Sequence, residues 1–196
     1  MSTQNESKDD SKSKIIKHAT ALFSQKGYAA TSISDISRVT GLSKSHIYYY
    51  FENKEMLFVF LAKKSMTEWR EKWLKTEISY SNATDKLYGM ARHVLYNFQT
   101  PLLQAGREMA TNQHVDPETV KNLYTDLTAV PNQAYFKIFQ EGVESGEFSI
   151  MNIQETTLLY SSWLGGLCAS IGILDFVTLE RLFDNAVTIF LKSIQD

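Results

Sequence analysis

Five side chains on one short stretch carry the recognition chemistry of this sequence: Lys44, Ser45, His46, Tyr48 and Tyr49. If Ile47 and Phe51 point into a core, these five face solvent or a partner. The cation, the hydroxyl and imidazole donors and the phenol rings match phosphate oxygens and base edges. A bland solvated face would carry Glu and Lys pairs instead, as in an ordinary αα-hairpin inside a bundle, and neighbouring tyrosines argue against that alternative. No comparable set points to catalysis. The histidines, His18, His46, His93 and His114, are scattered, and none has a Cys, Asp or Glu partner at metal-ligand spacing. Cys168 lies in an apolar run, where a thiol is a small core residue rather than a nucleophile. The sequence has neither a phosphate loop nor a dinucleotide fingerprint. It therefore predicts no enzyme, no catalytic residue, no metal and no cofactor.

The elements that position the five side chains lie between Thr31 and Lys54. Ser32 followed by Asp35 is a capping-box-like helix start. Ile33, Ile36 and Val39 recur at helical spacing. Gly41 supplies a left-handed stop, Leu42 a plug for the corner, and Ser43 a cap for a second helix over Lys44 to Phe51. Two short helices joined by a Gly-containing turn make a helix-turn-helix, whose second helix enters a major groove. Ahead of it, Ile15, Ala19, Leu22 and Phe23 form the packed stripe of a helix from Lys12 to Lys26, stopped by Gly27. Asn53 caps a fourth helix that places Lys54 at its N-terminus, where free N–H groups and the dipole attract phosphate. Charge agrees: from Ser11 to Lys54, seven Lys/Arg stand against Asp35 and Glu52, a net of +5, whereas the chain as a whole carries −2.

The same residues carry a family resemblance. Gly27-Tyr28, Thr31-Ser32, Asp35-Ile36, Gly41-Leu42-Ser43-Lys44, Ile47-Tyr48-Tyr49-Tyr50-Phe51 and Lys54-Glu55-Met56-Leu57 resemble the N-terminal signature of the TetR family of bacterial repressors. The match covers roughly residues 12 to 60 and is specific in order and spacing. It implies an all-α homodimer of about nine helices, with an N-terminal three-helix DNA-binding domain and a C-terminal helical ligand-binding and dimerisation domain. The family often has a small residue before a small polar one where this chain has Ser45-His46, which leaves the operator sequence open. A second, weaker similarity, to the family's multidrug-sensing branch, lies in Glu68 to Lys75, with Trp69 and Trp73, and in Phe139-Gln140-Glu141-Gly142.

The remaining elements follow from periodicity and punctuation. Residues 1–11 are polar and read as a disordered tail. The fourth helix should run to about Thr76, with Phe58, Ala62, Met66, Trp69 and Trp73 inward. A polar loop over 77–83 precedes a helix over 84–100, which Pro101 ends, and a short helix over Leu102 to Asn112. Asp116-Pro117-Glu118 starts a helix to about Ser145, with Pro131 breaking or kinking it near Ala129. Asn152 opens a helix to about Leu174, apolar enough to be buried all round. The last helix, from about Leu179 to Ile194, repeats apolar residues at Phe183, Val187 and Phe190. The domains expected are a 1–11 tail, a 12–54 DNA-binding domain and a 55–196 ligand-binding and dimerisation domain.

The site residues expected are Ser32, Ser43, Lys44, Ser45, His46, Tyr48, Tyr49 and Lys54 for double-stranded DNA. Small-molecule sites are mostly apolar and aromatic with a few placed polar groups, which nominates Trp69, Tyr96, Asn97, Glu108, Tyr124, Gln133, Phe136 and Trp163. For any single aromatic among them, a place in the core is the ordinary alternative. Leu159, Trp163, Leu167, Phe183, Val187 and Phe190 are candidates for the interface of a homodimer. The function expected is a ligand-responsive regulator, a repressor that binds a palindromic operator and is released by a small apolar or aromatic effector. A helical protein-interaction module, and a ligand-blind regulator or activator, are the alternatives. The polar start and the lack of a long apolar run predict a cytoplasmic protein with no membrane partner.

Overall fold

The computed structural model describes residues 3–97 and 102–195, and among them every regular element is an α-helix. In chain order these are α1 (Thr3–Lys26), α2 (Ile33–Thr40), α3 (Lys44–Tyr50), α4 (Lys54–Glu77), α5 (Ala83–Asn97), α6 (Leu103–Ala110), α7 (Pro117–Ser145), α8 (Ile153–Cys168) and α9 (Phe176–Ile194). They form two compact units, each discontinuous in sequence. The described residues of Met1–Ser65 and Thr100–Asp126 make one; those of Met66–Gln99 and Leu127–Asp196 make the other. The division between the units falls within α4, and α6 groups with the first three helices. A long helix that serves two cores carries one uninterrupted stripe, so periodicity cannot reveal where one core ends.

In the first unit, Ile15, Ala19, Leu22 and Phe23 of α1 are buried with Ile36, Ile47, Leu57 and Phe58. Phe23, Tyr28 and Phe58 form an aromatic nucleus with ring centroids 5.2–5.9 Å apart. Val39 departs from expectation: it is exposed, because the eight-residue α2 has room for one buried stripe, which Ile33, Ile36 and Thr40 fill. The segment read as a disordered tail is helical from Thr3. No glycine or proline precedes Gly27, so a helix anchored at Ile15 meets no breaker as it extends toward the N-terminus.

In the second unit the core is built around Tyr135, Phe139, Phe148, Tyr160 and Phe190, whose rings meet mostly edge to face. α5 and α9 run antiparallel with a ladder of polar rungs four residues apart. Tyr88 pairs with Thr188 (2.9 Å), Arg92 with Asp184 (3.0 and 3.2 Å) and Tyr96 with Glu180 (2.5 Å). Glu147 accepts the Ala83 and Thr84 N–H groups, both at 3.0 Å, and so caps α5 from outside the helix. Glu77, only 6 % exposed, lies between Lys137 (2.8 Å) and Lys86 (3.7 Å). A buried carboxylate persists only when paired in this way.

Expectations change for three helices. Of the two outcomes expected at Pro131, a break or a kink, the break does not occur: α7 continues through it. A proline removes one helical hydrogen bond, and the buried Tyr135, Ile138 and Phe139 anchor the part of α7 that follows it in this unit's core. Helix α8 stops at Cys168, because the chain then turns through Gly172 at φ +89°. It is also buried on one face only: Thr157, Tyr160, Leu164 and Cys168 face the core, while Leu158, Leu159 and Trp163 are exposed. Asp175 caps α9 through the Thr178 N–H, which moves that helix's start ahead of Leu179. Phe98 and Pro101 lie outside the described residues.

His93 gives this core a pH dependence. Its Nε2 lies 3.0 Å from the Trp69 carbonyl, which fixes the proton there. Nδ1 then accepts from the Asn97 amide at 3.2 Å. The Trp69 and Trp73 rings lie 4.6 and 5.7 Å from the imidazole. Burial lowers the His93 pKa, and Lys72 lowers it further, against the opposing pull of the Trp69 carbonyl. The unfolded state, with pKa about 6.5, therefore binds the proton first. The stability contributed by neutral His93 is complete above that value and is lost as pH falls toward the folded pKa. Melting temperatures of the wild type and His93→Gln, measured at pH 7.5 and 5.5, should show the larger acid-induced drop in the wild type.

Candidate nucleic-acid interface

The turn between α2 and α3 is fixed by hydroxyl groups of α2 and of its own last residue, Ser43. The Ser32 side chain accepts the Asp35 N–H (3.1 Å) and donates to its carboxylate (2.6 Å), which also accepts the Ser32 N–H (3.1 Å). These hydrogen bonds, Ser32 first, hold the Asp35 carboxyl below the usual range, with Lys26 and Arg38 adding to the effect. Gly41, at φ +69°, ends α2 with its N–H on the Ser37 carbonyl (2.9 Å). The Ser37 hydroxyl crosses the corner to the Leu42 carbonyl (2.6 Å), and Thr40 donates to Ile36 (2.7 Å) while accepting from Leu42 N–H (3.3 Å). Ser43 caps α3 by accepting the His46 N–H (3.2 Å). Sequence reasoning misses Ser37 and Thr40. Their signal is two hydroxyl residues within four positions of a glycine stop.

This frame fully buries Ile47 and turns Lys44, Ser45, His46, Tyr48 and Tyr49 outward, with Tyr49 67 % exposed. Tyr50, also missed, is half-buried and supports both neighbours: its ring lies 5.1 Å from Tyr49 and 5.6 Å from His46. Lys54, at the start of α4, donates to the Tyr28 carbonyl (3.0 Å) and lies over the Tyr28 ring (4.2 Å). Its half-buried position lowers its pKa. It thus braces the loop after α1 with one of its three protons and has two others to offer. All eight nominated DNA contacts lie on α3, its cap, the α2 cap and the α4 start.

The nominated ligand residues are divided between the two units. Glu108 and Tyr124 belong to the first unit, the other six to the second. Glu108 accepts the Ala29 N–H (3.3 Å) and lies where a Cβ on Gly27 would project. Trp69 is buried against His93, and Asn97 orients that imidazole while accepting from Lys72 (3.4 Å). Gln133 is exposed and Phe136 half-buried. Trp163 is 40 % exposed, with one edge on Phe190. Tyr96 borders a cleft in this unit. Of the nominated interface residues, Phe183, Val187 and Phe190 are buried in the chain's own core, on the face that α9 turns toward α5 and α8. Leu159 and Trp163 are exposed and Leu167 half-buried. Burial pushes the Cys168 thiol up to about 12, which removes its nucleophilic character. Among the described residues, no helix is long and apolar enough to cross a membrane.

Residues 15–59 match the family model described as bacterial regulatory proteins, tetR family, and residues 65–196 match that of QacR-like protein, C-terminal region. The HTH-type transcriptional regulator QacR of Staphylococcus aureus is 27 % identical over 163 residues, 80 % of this chain and 83 % of that protein. The biofilm operon icaADBC HTH-type negative transcriptional regulator IcaR of Staphylococcus epidermidis is 45 % identical over 47 residues, 24 % of this chain and 25 % of that one. Among solved structures, a transcriptional regulator from Cytophaga hutchinsonii superimposes with TM-score 0.74 at 24 % identity, over 93 % of this chain and 97 % of the other. The flavonoid-responsive regulator FrrA superimposes with TM-score 0.72 at 22 % identity, over 95 % and 98 %. At these identities the two structures show the fold alone.

Proposed function

This chain belongs to the TetR family of bacterial regulatory proteins, and from that premise we propose that it is a homodimeric repressor that leaves its operator when a small, largely apolar or aromatic effector binds. The observation that carries this reading is α3. A short helix buries Ile47 while presenting Lys44, Ser45, His46, Tyr48 and Tyr49 from the basic end of the chain. In this reading Ser32, Ser43, Lys44, Tyr49 and Lys54 hold phosphates, and Ser45, His46 and Tyr48 meet bases or sugars. Two copies place their recognition helices in successive major grooves, ~34–36 Å or a multiple apart, which requires a palindrome. The exposed Leu158, Leu159 and Trp163 on α8 and Ile189 on α9 supply an apolar face for the second copy. An effector that binds better to a dimer with mis-spaced recognition helices lowers DNA affinity by linkage.

The test is binding of the purified protein to the DNA upstream of its own gene, against a scrambled duplex, over a series of salt concentrations. Specific binding that weakens with salt is expected. Lys44→Ala should flatten the log–log salt slope by about 1.8, because each of the two subunits then neutralises one phosphate fewer. An unchanged slope in that variant would remove Lys44 from the phosphate anchors. Equal binding to both duplexes would reduce the site to a generic basic patch.

A further inference from the structure

A cleft of about 290 Å³ opens in the second unit where the C-terminal end of α5 meets the turn between α8 and α9. Leu95 and Leu179, both buried, form its floor, and Ile171, Leu174 and Phe176 its walls. Gly172 lines it with bare backbone at φ +89°. Tyr96 and Phe176, with centroids 5.2 Å apart, form an aromatic edge at the mouth.

The chemistry of the lining is narrow. Among the described residues, no lining side chain is charged. The nearby acids are already engaged: Glu180 accepts the Tyr96 hydroxyl (2.5 Å), Asp184 pairs with Arg92 (3.0 Å) and Asp175 accepts the Thr178 N–H (2.9 Å). The polar side-chain atom that the described lining offers is the Tyr96 oxygen. Its proton points to Glu180, which leaves it as an acceptor. The volume holds roughly ten groups of water size, at ~30 Å³ each, too few for a peptide helix or a large dye. We propose that this cleft binds a compact, neutral aromatic molecule that brings one hydrogen-bond donor to the Tyr96 oxygen. This binding is independent of the repressor reading, and its test uses no DNA.

The test is calorimetric titration of the full-length protein with indole, whose size and single N–H fit these limits. 1-Methylindole, which lacks the donor, and benzyltrimethylammonium, a cation, are the comparison probes. Indole should bind, and 1-methylindole should bind about two- to ten-fold more weakly, the span of one hydrogen bond. Tyr96→Phe should remove that difference, and Ile171→Trp, which fills the cleft from a half-buried position, should abolish binding. Circular dichroism establishes that each variant is folded, and sedimentation gives its mass. Failure of indole to bind, indole binding undiminished in Ile171→Trp, or tighter binding of the cation would each overturn the proposal. A change of mass in Ile171→Trp would also overturn it, since the cleft would then lie between copies of the chain.

Discussion

In the proposed dimer, replacing Leu159 with glutamate is expected to separate the two copies and to weaken operator binding by about 100-fold or more, the range that loss of a second linked site produces. Leu159 is 67 % exposed and lies on the face of α8 opposite Tyr160 and Leu164, which are buried in the chain's own core. The substitution therefore adds a charge without disturbing that core, and the isolated subunit should keep its melting temperature. Across a two-fold axis the same patch meets itself. A glutamate there is doubled and desolvated without a partner, which costs several kcal/mol per dimer. Sedimentation should show a monomer, and a salt-dependent gel-shift series the weakened affinity. A variant that stays dimeric would move the interface off this face of α8.

The contrast between α8 and α9 shows how far apolar residues can be read from sequence alone. Both helices are apolar, and Phe183, Val187 and Phe190 look in sequence much like Leu159 and Trp163. Periodicity reports that a residue faces something apolar, not whether that surface is in the same chain. In α9 the stripe is one core wide and is filled internally. In α8 apolar residues occupy both faces, and the second face stays exposed in the single chain. The helix-turn-helix is far more legible because its determinants are local. Ser32 and Asp35 are three residues apart, Gly41 ends one helix and Ser43 starts the next, and each acts on backbone groups within one turn. Val39 misleads because a two-turn helix has too few residues to define its buried face.

The expected ligand site shows where local reading ends. Glu108 is the one acid among the nominated ligand residues, and it accepts the Ala29 N–H, 79 positions away. Asn97 serves His93, one helical turn earlier, and through it the Trp69 carbonyl on α4. Each is a polar group of the kind a binding site places and a satisfied core equally uses. Only tertiary structure separates the two. The Tyr96 cleft is legible in part, as one aromatic. The turn that forms its wall depends on Gly172, which apolar composition alone places inside a helix.

Replacing Gly142 with alanine is expected to destabilise the fold by about 2–4 kcal/mol, although alanine is the better helix former by ~1 kcal/mol. A Cβ at this position would lie 2.0 Å from Phe148 Cδ2, 2.3 Å from Cε2 and 2.7 Å from Cγ. The Phe148 ring cannot turn aside cheaply. It is buried beside Phe139, with centroids 6.3 Å apart, and its own N–H is held by the Gly142 carbonyl at 3.0 Å. The methyl group therefore forces either the ring out of the core or α7 away from it, and overpacking of this kind outweighs the propensity gain. Thermal unfolding followed by circular dichroism should show a loss of roughly 5–15 °C. Gly166→Ala is the matched control. Beyond its chain neighbours and its own helix backbone, no atom of the described residues lies within 4 Å of a Cβ there, so the isolated subunit should gain up to about 1 kcal/mol from propensity alone. If the α8 helices of two copies pack closely at Gly166, the same substitution should weaken the dimer while stabilising the subunit. That opposite pair of signs would separate a glycine kept for an approaching helix from one the chain merely tolerates.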